Sequence, residues 1–207
     1  SVYQNSSPEV LTQQLIKVSR ISLFLLLFVF GGFVVLGQEF IELWVGETYQ
    51  NAYYIAVGIM FVYILPIAQG YAHSILEAKK LLRFKTLSFL AACLLGIFLG
   101  AWLSFKYEEL GMITGLLITL FVLQWGVMNI FYAKKLELHI LNFFKKSFPL
   151  FFMATIVILF SYFLFQNFDY SWISFVIKGL FFSLIFLLMS LLILSKEEKA
   201  ILFKFNK

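Results

Sequence analysis

The sequence predicts an all-α polytopic membrane bundle of six transmembrane helices. Three observations predict it: apolar runs of bilayer-spanning length, basic residues that alternate with those runs, and too little polar composition to cover a water-facing surface. The runs are 18–36, 52–70, 86–105, 111–132, 148–165 and 171–194. Each is near the roughly 20 residues that cross about 30 Å of hydrocarbon at about 1.5 Å per residue. Of the 16 Lys and Arg residues, all except Lys106 and Lys178 fall in four stretches between, beyond or at the edge of the runs. Those stretches hold Lys17 and Arg20, then Lys79, Lys80, Arg83 and Lys85, then Lys134, Lys135, Lys145 and Lys146, then Lys196, Lys199, Lys204 and Lys207. Counting crossings places all four on one side, which the positive-inside rule makes cytoplasmic, so both ends of this segment are expected inside the cell. The alternate loops carry Glu39, Glu42 and Glu47, then Lys106, Glu108 and Glu109, then Asp169, and are expected outside.

Composition leads the same way. The chain is 62% hydrophobic and 13% charged, with 27 Phe, and its mean hydropathy is +0.93; a core of that size has to be shared with lipid. The net charge of +5 resides in juxtamembrane clusters rather than in a basic arm. That is how a membrane-facing cytoplasmic surface is built, and it excludes nucleic acid as a partner. The one cysteine, Cys93, lies inside the third run, so no disulfide framework exists.

The segment 1–20 is expected to be a cytoplasmic linker followed by an interfacial helix. Ser1 is not an initiator Met and 1–8 reads as a linker, so further chain is expected upstream. From Glu9 to Arg20, Val10, Leu11, Leu15 and Val18 recur at helical spacing, which predicts a helix lying along the membrane before the first span. Similar interfacial helices are expected at 40–45, anchored by Trp44, and at 136–148. The segment 21–132 then holds four spans. In the third, Ser88, Ala92, Gly96, Gly100 and Ser104 repeat every four residues and form a ridge on which another helix backbone can close, so this span is expected to be buried in the bundle. In the fourth, Gly115, Thr119, Gly126 and Asn129 make one face small and polar, suited to packing on the third span or to lining a cavity. Gly31 and Gly32 in the first span either kink it or admit a neighbour. The segment 133–147 is a basic amphipathic linker, 148–195 supplies two Phe-rich helices expected to face lipid, and 196–207 is a cytoplasmic tail.

Polar residues inside the runs are the candidate site. Lys178 lies about seven residues, or roughly 10 Å, inside the sixth span. An unpaired Lys at the bilayer centre costs about 2.5–3.5 kcal/mol, so either its stem snorkels to the headgroups or it faces a solvated cavity and holds a phosphate or carboxylate. Gln124 and Asn129 either bind a ligand or satisfy a helix contact. Gln69 and His73 follow Pro66, which removes a donor and frees carbonyls near the end of the second span. His73 is either a titrating group or a solvated interfacial histidine. No motif for catalysis, cofactor or metal binding is readable. His73 and His139 are far apart, and Glu108 and Glu109 are adjacent, so their side chains diverge on a helix. No enzyme activity and no cofactor are therefore expected.

Three segments carry a family resemblance. Residues 42–52 read Glu-Leu-Trp-Val-Gly-Glu-Thr-Tyr-Gln-Asn-Ala, similar to an outer loop of the form Leu-Trp-x-Gly-x-x-Tyr-x-x-Ala. Residues 74–80 read Ser-Ile-Leu-Glu-Ala-Lys-Lys, similar to an inner Ile-Leu-x-Ala-x-x-Lys junction, and Leu110-Gly111-Met112-Ile113-Thr114-Gly115 is similar to a Tyr-Gly-x-x-Gly-Ala span opening. In order and spacing these resemble the C-terminal part of bacterial polysaccharide transporters, the Wzx-type O-antigen flippases of the multidrug/oligosaccharidyl-lipid/polysaccharide exporter superfamily. Leu116, Lys79 and a third span without Asn depart from that pattern. The resemblance implies the C-terminal portion of a two-lobed, MATE-like fold in a bacterial cytoplasmic membrane. It also implies an N-terminal lobe elsewhere in the same chain and a cargo of undecaprenyl-diphosphate-linked oligosaccharide moved by alternating access. Membrane lipids and polysaccharide polymerase machinery are the further implied partners, and Lys178, Gln124, Asn129, Gln69 and His73 are the residues expected to meet substrate. The alternatives are a multidrug or cation exporter of the same superfamily, a membrane-embedded enzyme, and a structural assembly subunit.

Overall fold

A computed structural model describes residues 7–203, so the expectations for residues 1–6 of the opening linker and for Lys204 and Lys207 lie outside the described residues, while Pro8 already opens the first helix. Every regular element among the described residues is helical. Five helical stretches are long and apolar enough to cross a membrane, which makes this a polytopic helical membrane protein. The chain divides into two compact units, one made of the chain up to Ser19 with Gly58–Phe144, the other of Arg20–Val57 with the chain from Lys145 onward.

Helix α1 runs from Pro8–Val45 as one element. The segments 9–20 and 40–45, expected as separate interfacial helices, are continuous with the first span. No proline interrupts the run after its first residue, and once a helix is nucleated each further residue adds a backbone bond. Leu11 and Leu15 are buried, whereas Val10 and Val18 of the expected stripe are exposed. The inner segment 136–148 behaves similarly, because its second part is the start of the long helix at Ile140–Phe165.

In the first unit, α2 (Gln50–Ala68) stops two residues after Pro66, and α3 (Gly70–Ala78) follows across Gln69. Helix α4 (Leu82–Phe121) covers the third expected span and part of the fourth. It continues through a π-helical turn (Val122–Val127) into α5 (Met128–Lys135). The whole stretch of 54 residues is one of the five apolar helices, and it folds back on itself. At Glu108 the backbone takes φ 48° and ψ −128°, outside the helical region. Beyond that point the small residues of the two arms meet. A Cβ on Gly96 would lie 2.6 Å from Thr119 Oγ1 and 3.0 Å from Leu116 Cα, and one on Gly115 would overlap the Gly100 backbone and reach the Leu99 carbonyl carbon at 2.8 Å. In a straight helix positions 96 and 119 would be about 35 Å apart, so these contacts require a hairpin. The third span is covered only along this ridge: Ala92, Gly96 and Gly100 are buried, while Leu87, Phe98, Trp102 and Phe105 are exposed. The ridge therefore receives one close partner, and full burial of the span does not follow within this unit.

In the second unit, α6 (Ile140–Phe165) and α7 (Trp172–Ile193) carry the Phe-rich surface. Helix α7 buries one stripe, Lys178, Phe182, Phe186 and Ser190, at steps of four, and exposes Ile173, Val176, Ile177, Leu180, Leu184, Leu188 and Leu192. These residues give α7 a broad exposed apolar surface. Aromatic contacts lay α7 along α1: Phe24 on Phe186, Phe28 on Phe182, and Phe40 on Phe175, with ring centroids 5.8, 6.0 and 5.9 Å apart. Gly31 admits neighbours rather than making a kink, since a Cβ there would meet Ile158 Cγ1 and Phe182 Cζ at 3.0 Å.

Helix α8 (Lys196–Phe203) is fastened by Arg20. The guanidinium donates to both carboxylate oxygens of Glu198, to the Lys146 carbonyl and to the Ile193 carbonyl, and the Ser195 backbone N–H donates to Glu198 Oε2 at 2.7 Å. Burial pushes the Glu198 carboxyl up, but the Arg20 and Ser195 hydrogen bonds more than offset it and hold the group below its ordinary value of 4.5. A carboxylate depressed in the folded state contributes stability above its unfolded pKa and loses that contribution as pH falls through the folded value. Protection of the α8 amides, with exchange corrected for its intrinsic dependence on pH, is accordingly expected to fall as pH is stepped below 4.5. An Arg20→Met protein should exchange fast already at neutral pH; equal protection of the two proteins across the series would refute the clasp.

Candidate functional site

The polar residues expected to meet substrate that are buried fall in two clusters, one in each unit. The first grows from two helix irregularities. Pro66 has no N–H, so the carbonyl of Val62, one turn earlier in α2, loses its helical donor. Trp125 Nε1 supplies that bond from the π-helical turn at 3.1 Å. Trp125 itself is stacked on Phe61 and Phe121, with centroids 5.3 and 5.4 Å away. The wider π turn leaves its own carbonyls poorly matched, and Asn129 Nδ2 donates to those of Gln124 and Trp125 at 3.2 and 3.0 Å. Asn129 Oδ1 then accepts from Gln69 Nε2 at 2.8 Å. Gln69, Gln124 and Asn129 are 2%, 6% and 6% exposed. One side-chain bond thus joins the break between α2 and α3 to the π turn.

Of the residues expected to meet substrate, Gln69, Gln124 and Asn129 come together here. Nearby in the chain, His73 sits half-exposed on α3, where Lys85 Nζ donates to its Nδ1 at 3.1 Å and Glu77 Oε1 lies 4.0 Å from its Nε2. These contacts place the ring in a surface charge cluster. A Trp125→Phe substitution is expected to cost about 1–3 kcal/mol, the penalty of orphaning the Val62 carbonyl. Adding Pro66→Ala, which restores the backbone donor, should return most of it. Thermal midpoints in detergent read both effects, and a further loss in the double variant would exclude this pairing.

The second cluster is built on Lys178. Its side chain is 3% exposed, and Nζ lies 2.8 Å from Oε2 of Glu39, itself 4% exposed. Lys178 therefore neither snorkels nor stands free. Its ammonium also faces the rings of Tyr170 and Phe168, 5.3 and 5.9 Å from their centroids. Glu39 Oε1 accepts from the Ser171 backbone N–H at 3.3 Å, and the Ser171 side chain caps α7 by accepting from the Ser174 N–H at 3.1 Å. Each member of the ion pair thus has further partners besides the other.

Glu39 is the residue sequence reasoning missed. It was assigned to an outer loop because the first apolar run ends at Leu36, yet α1 continues and turns Glu39 onto the buried face of Leu36, one turn earlier. The signal was available: a lysine inside a span often pairs with an acidic residue at a similar depth, and Glu39 lies just past the end of the first run on the side from which the sixth begins. A cavity of about 160 Å³ opens beside the pair. Comparison with protein-family models, with curated proteins and with solved structures gives no match.

Proposed function

We propose that this chain is part of a membrane transporter that moves an undecaprenyl-diphosphate-linked oligosaccharide across a bacterial cytoplasmic membrane, with its basic loops on the cytoplasmic side. The observation that carries the reading is the junction of two discontinuous helices through buried amides, Gln69 on Asn129. Non-helical backbone at membrane depth is stabilised where protein or a cavity covers it, and broken helices of this kind mark binding sites and moving parts in transporters. A purely structural span gains nothing from such breaks. The three motif segments support the cargo class. The exposed Phe and Leu surface of α6 and α7 supports a substrate whose tail stays in lipid. In this reading Gln69 and Asn129 belong to the moving wall, and Lys178, engaged by Glu39, holds α1 to α7.

The test uses the full-length protein in liposomes loaded with a fluorescent undecaprenyl-diphosphate-linked oligosaccharide. Translocation exposes the headgroup to a non-permeant quencher. The protein is expected to accelerate quenching above protein-free liposomes, and Gln69→Ala with Asn129→Ala should slow it without loss of folded protein. Quenching no faster than in empty liposomes would remove the assignment.

A further inference from the structure

We infer that the cavity beside Lys178 and Glu39 is a binding site for a single neutral pyranose ring, of the kind displayed by a glycolipid headgroup or a free sugar. The inference goes beyond the transport reading and does not require it, since binding is measurable without translocation. Size comes first. At about 160 Å³ the cavity holds several times the roughly 30 Å³ that one water occupies in the liquid, which is room for a small ring and not for a longer sugar chain.

Charge decides the class. Lys178 and Glu39 neutralise each other at 2.8 Å, and they are the only Lys, Arg, Asp or Glu lining the space among the described residues. A phosphate entering beside Lys178 would meet the Glu39 carboxylate at the same range, and a cation would meet the ammonium, so both pay repulsion for any attraction. An uncharged polyol pays neither.

The remaining walls suit one. Gln38 and Gln166 bring amides that both donate and accept, and Tyr162 and Tyr170 bring phenols that do the same. The tyrosine rings also offer flat apolar faces for the C–H side of a sugar. These residues stand near the ends of α1 and α6 and just before α7. That is where tyrosines gather at the headgroup level of a bilayer.

Equilibrium titration of the protein in phosphatidylcholine nanodiscs tests this with three probes. These are soluble methyl glucoside, monoglucosyl diacylglycerol, and phosphatidic acid of the same acyl chains. Saturable binding of a glucoside, not displaced by phosphatidic acid, is expected. Tighter binding of the glycolipid identifies a membrane source, and tighter binding of methyl glucoside identifies a soluble one. Gln166→Ala and Tyr162→Phe, both at exposed positions, should each weaken binding about fivefold to tenfold, the worth of one net hydrogen bond. Equal displacement by phosphatidic acid, absence of saturable glucoside binding, or wild-type affinity in both variants would overturn the site. A protein that binds glucoside but fails in the liposome assay keeps this site and loses the transport reading. A protein that translocates while phosphatidic acid displaces the glucoside keeps transport and loses the site.

Discussion

Replacing Lys178 with Met is expected to lower the unfolding free energy by about 3–5 kcal/mol, because it strands the Glu39 carboxylate inside the protein without its counter-ion. The Glu39 side chain is 4% exposed, and its remaining bond, from the Ser171 N–H at 3.3 Å, is too long to replace an ammonium at 2.8 Å. Glu39→Gln should cost a similar amount for the mirror-image reason. The combination Lys178→Met with Glu39→Leu should recover most of either loss, since removing both charges also removes both desolvation penalties. Denaturant unfolding of the four proteins in detergent measures the cycle. Losses that simply add would show that the two residues act independently, and the pair would then have no place in the stability of this unit.

The second large effect belongs to the hairpin. A methyl group on Gly115 overlaps the Gly100 backbone, which has no flexible end to move aside, so Gly115→Ala is expected to cost at least about 1–3 kcal/mol. Gly115→Leu should force the arms apart. Spin labels at Leu94 and Val122, both exposed and on opposite arms, report this directly when Cys93 is first changed to Ser. The wild-type distance is expected to be short and narrow, and the Gly115→Leu distance longer and broader. An unchanged distance together with an unchanged thermal midpoint would mean that the small-residue ridge does not hold the arms together.

The hairpin also shows how legible the fold was. Gly96, Gly100 and Gly115 announce close helix packing in one dimension, because small residues every four positions have no other use in lipid. Their identity even indicates which expected spans should pair. The turn itself was less legible, since the reversal falls at Glu108, a non-glycine residue at positive φ that nothing in the local pattern requires. At the site, the amides of Gln69, Gln124 and Asn129 were visible as polar residues among apolar ones. The bond between Gln69 and Asn129 spans 60 positions, and side-chain chemistry alone cannot tell a ligand contact from a helix contact.

The amino-acid order by itself determined that the chain is helical and multi-pass, since hydrocarbon admits only segments that satisfy their own backbone, and apolar runs of about 20 residues declare themselves without reference to neighbours. It also determined which helix faces carry small residues. Only the tertiary structure decided which polar groups answer one another: Trp125 for the carbonyl orphaned by Pro66, Asn129 for Gln69, and Glu39 for Lys178. The physical reason is range. Hydrophobic length and helical period are local properties, whereas a buried hydrogen bond or ion pair depends on two residues remote in sequence arriving within about 3 Å at a suitable angle, and packing alone brings them there.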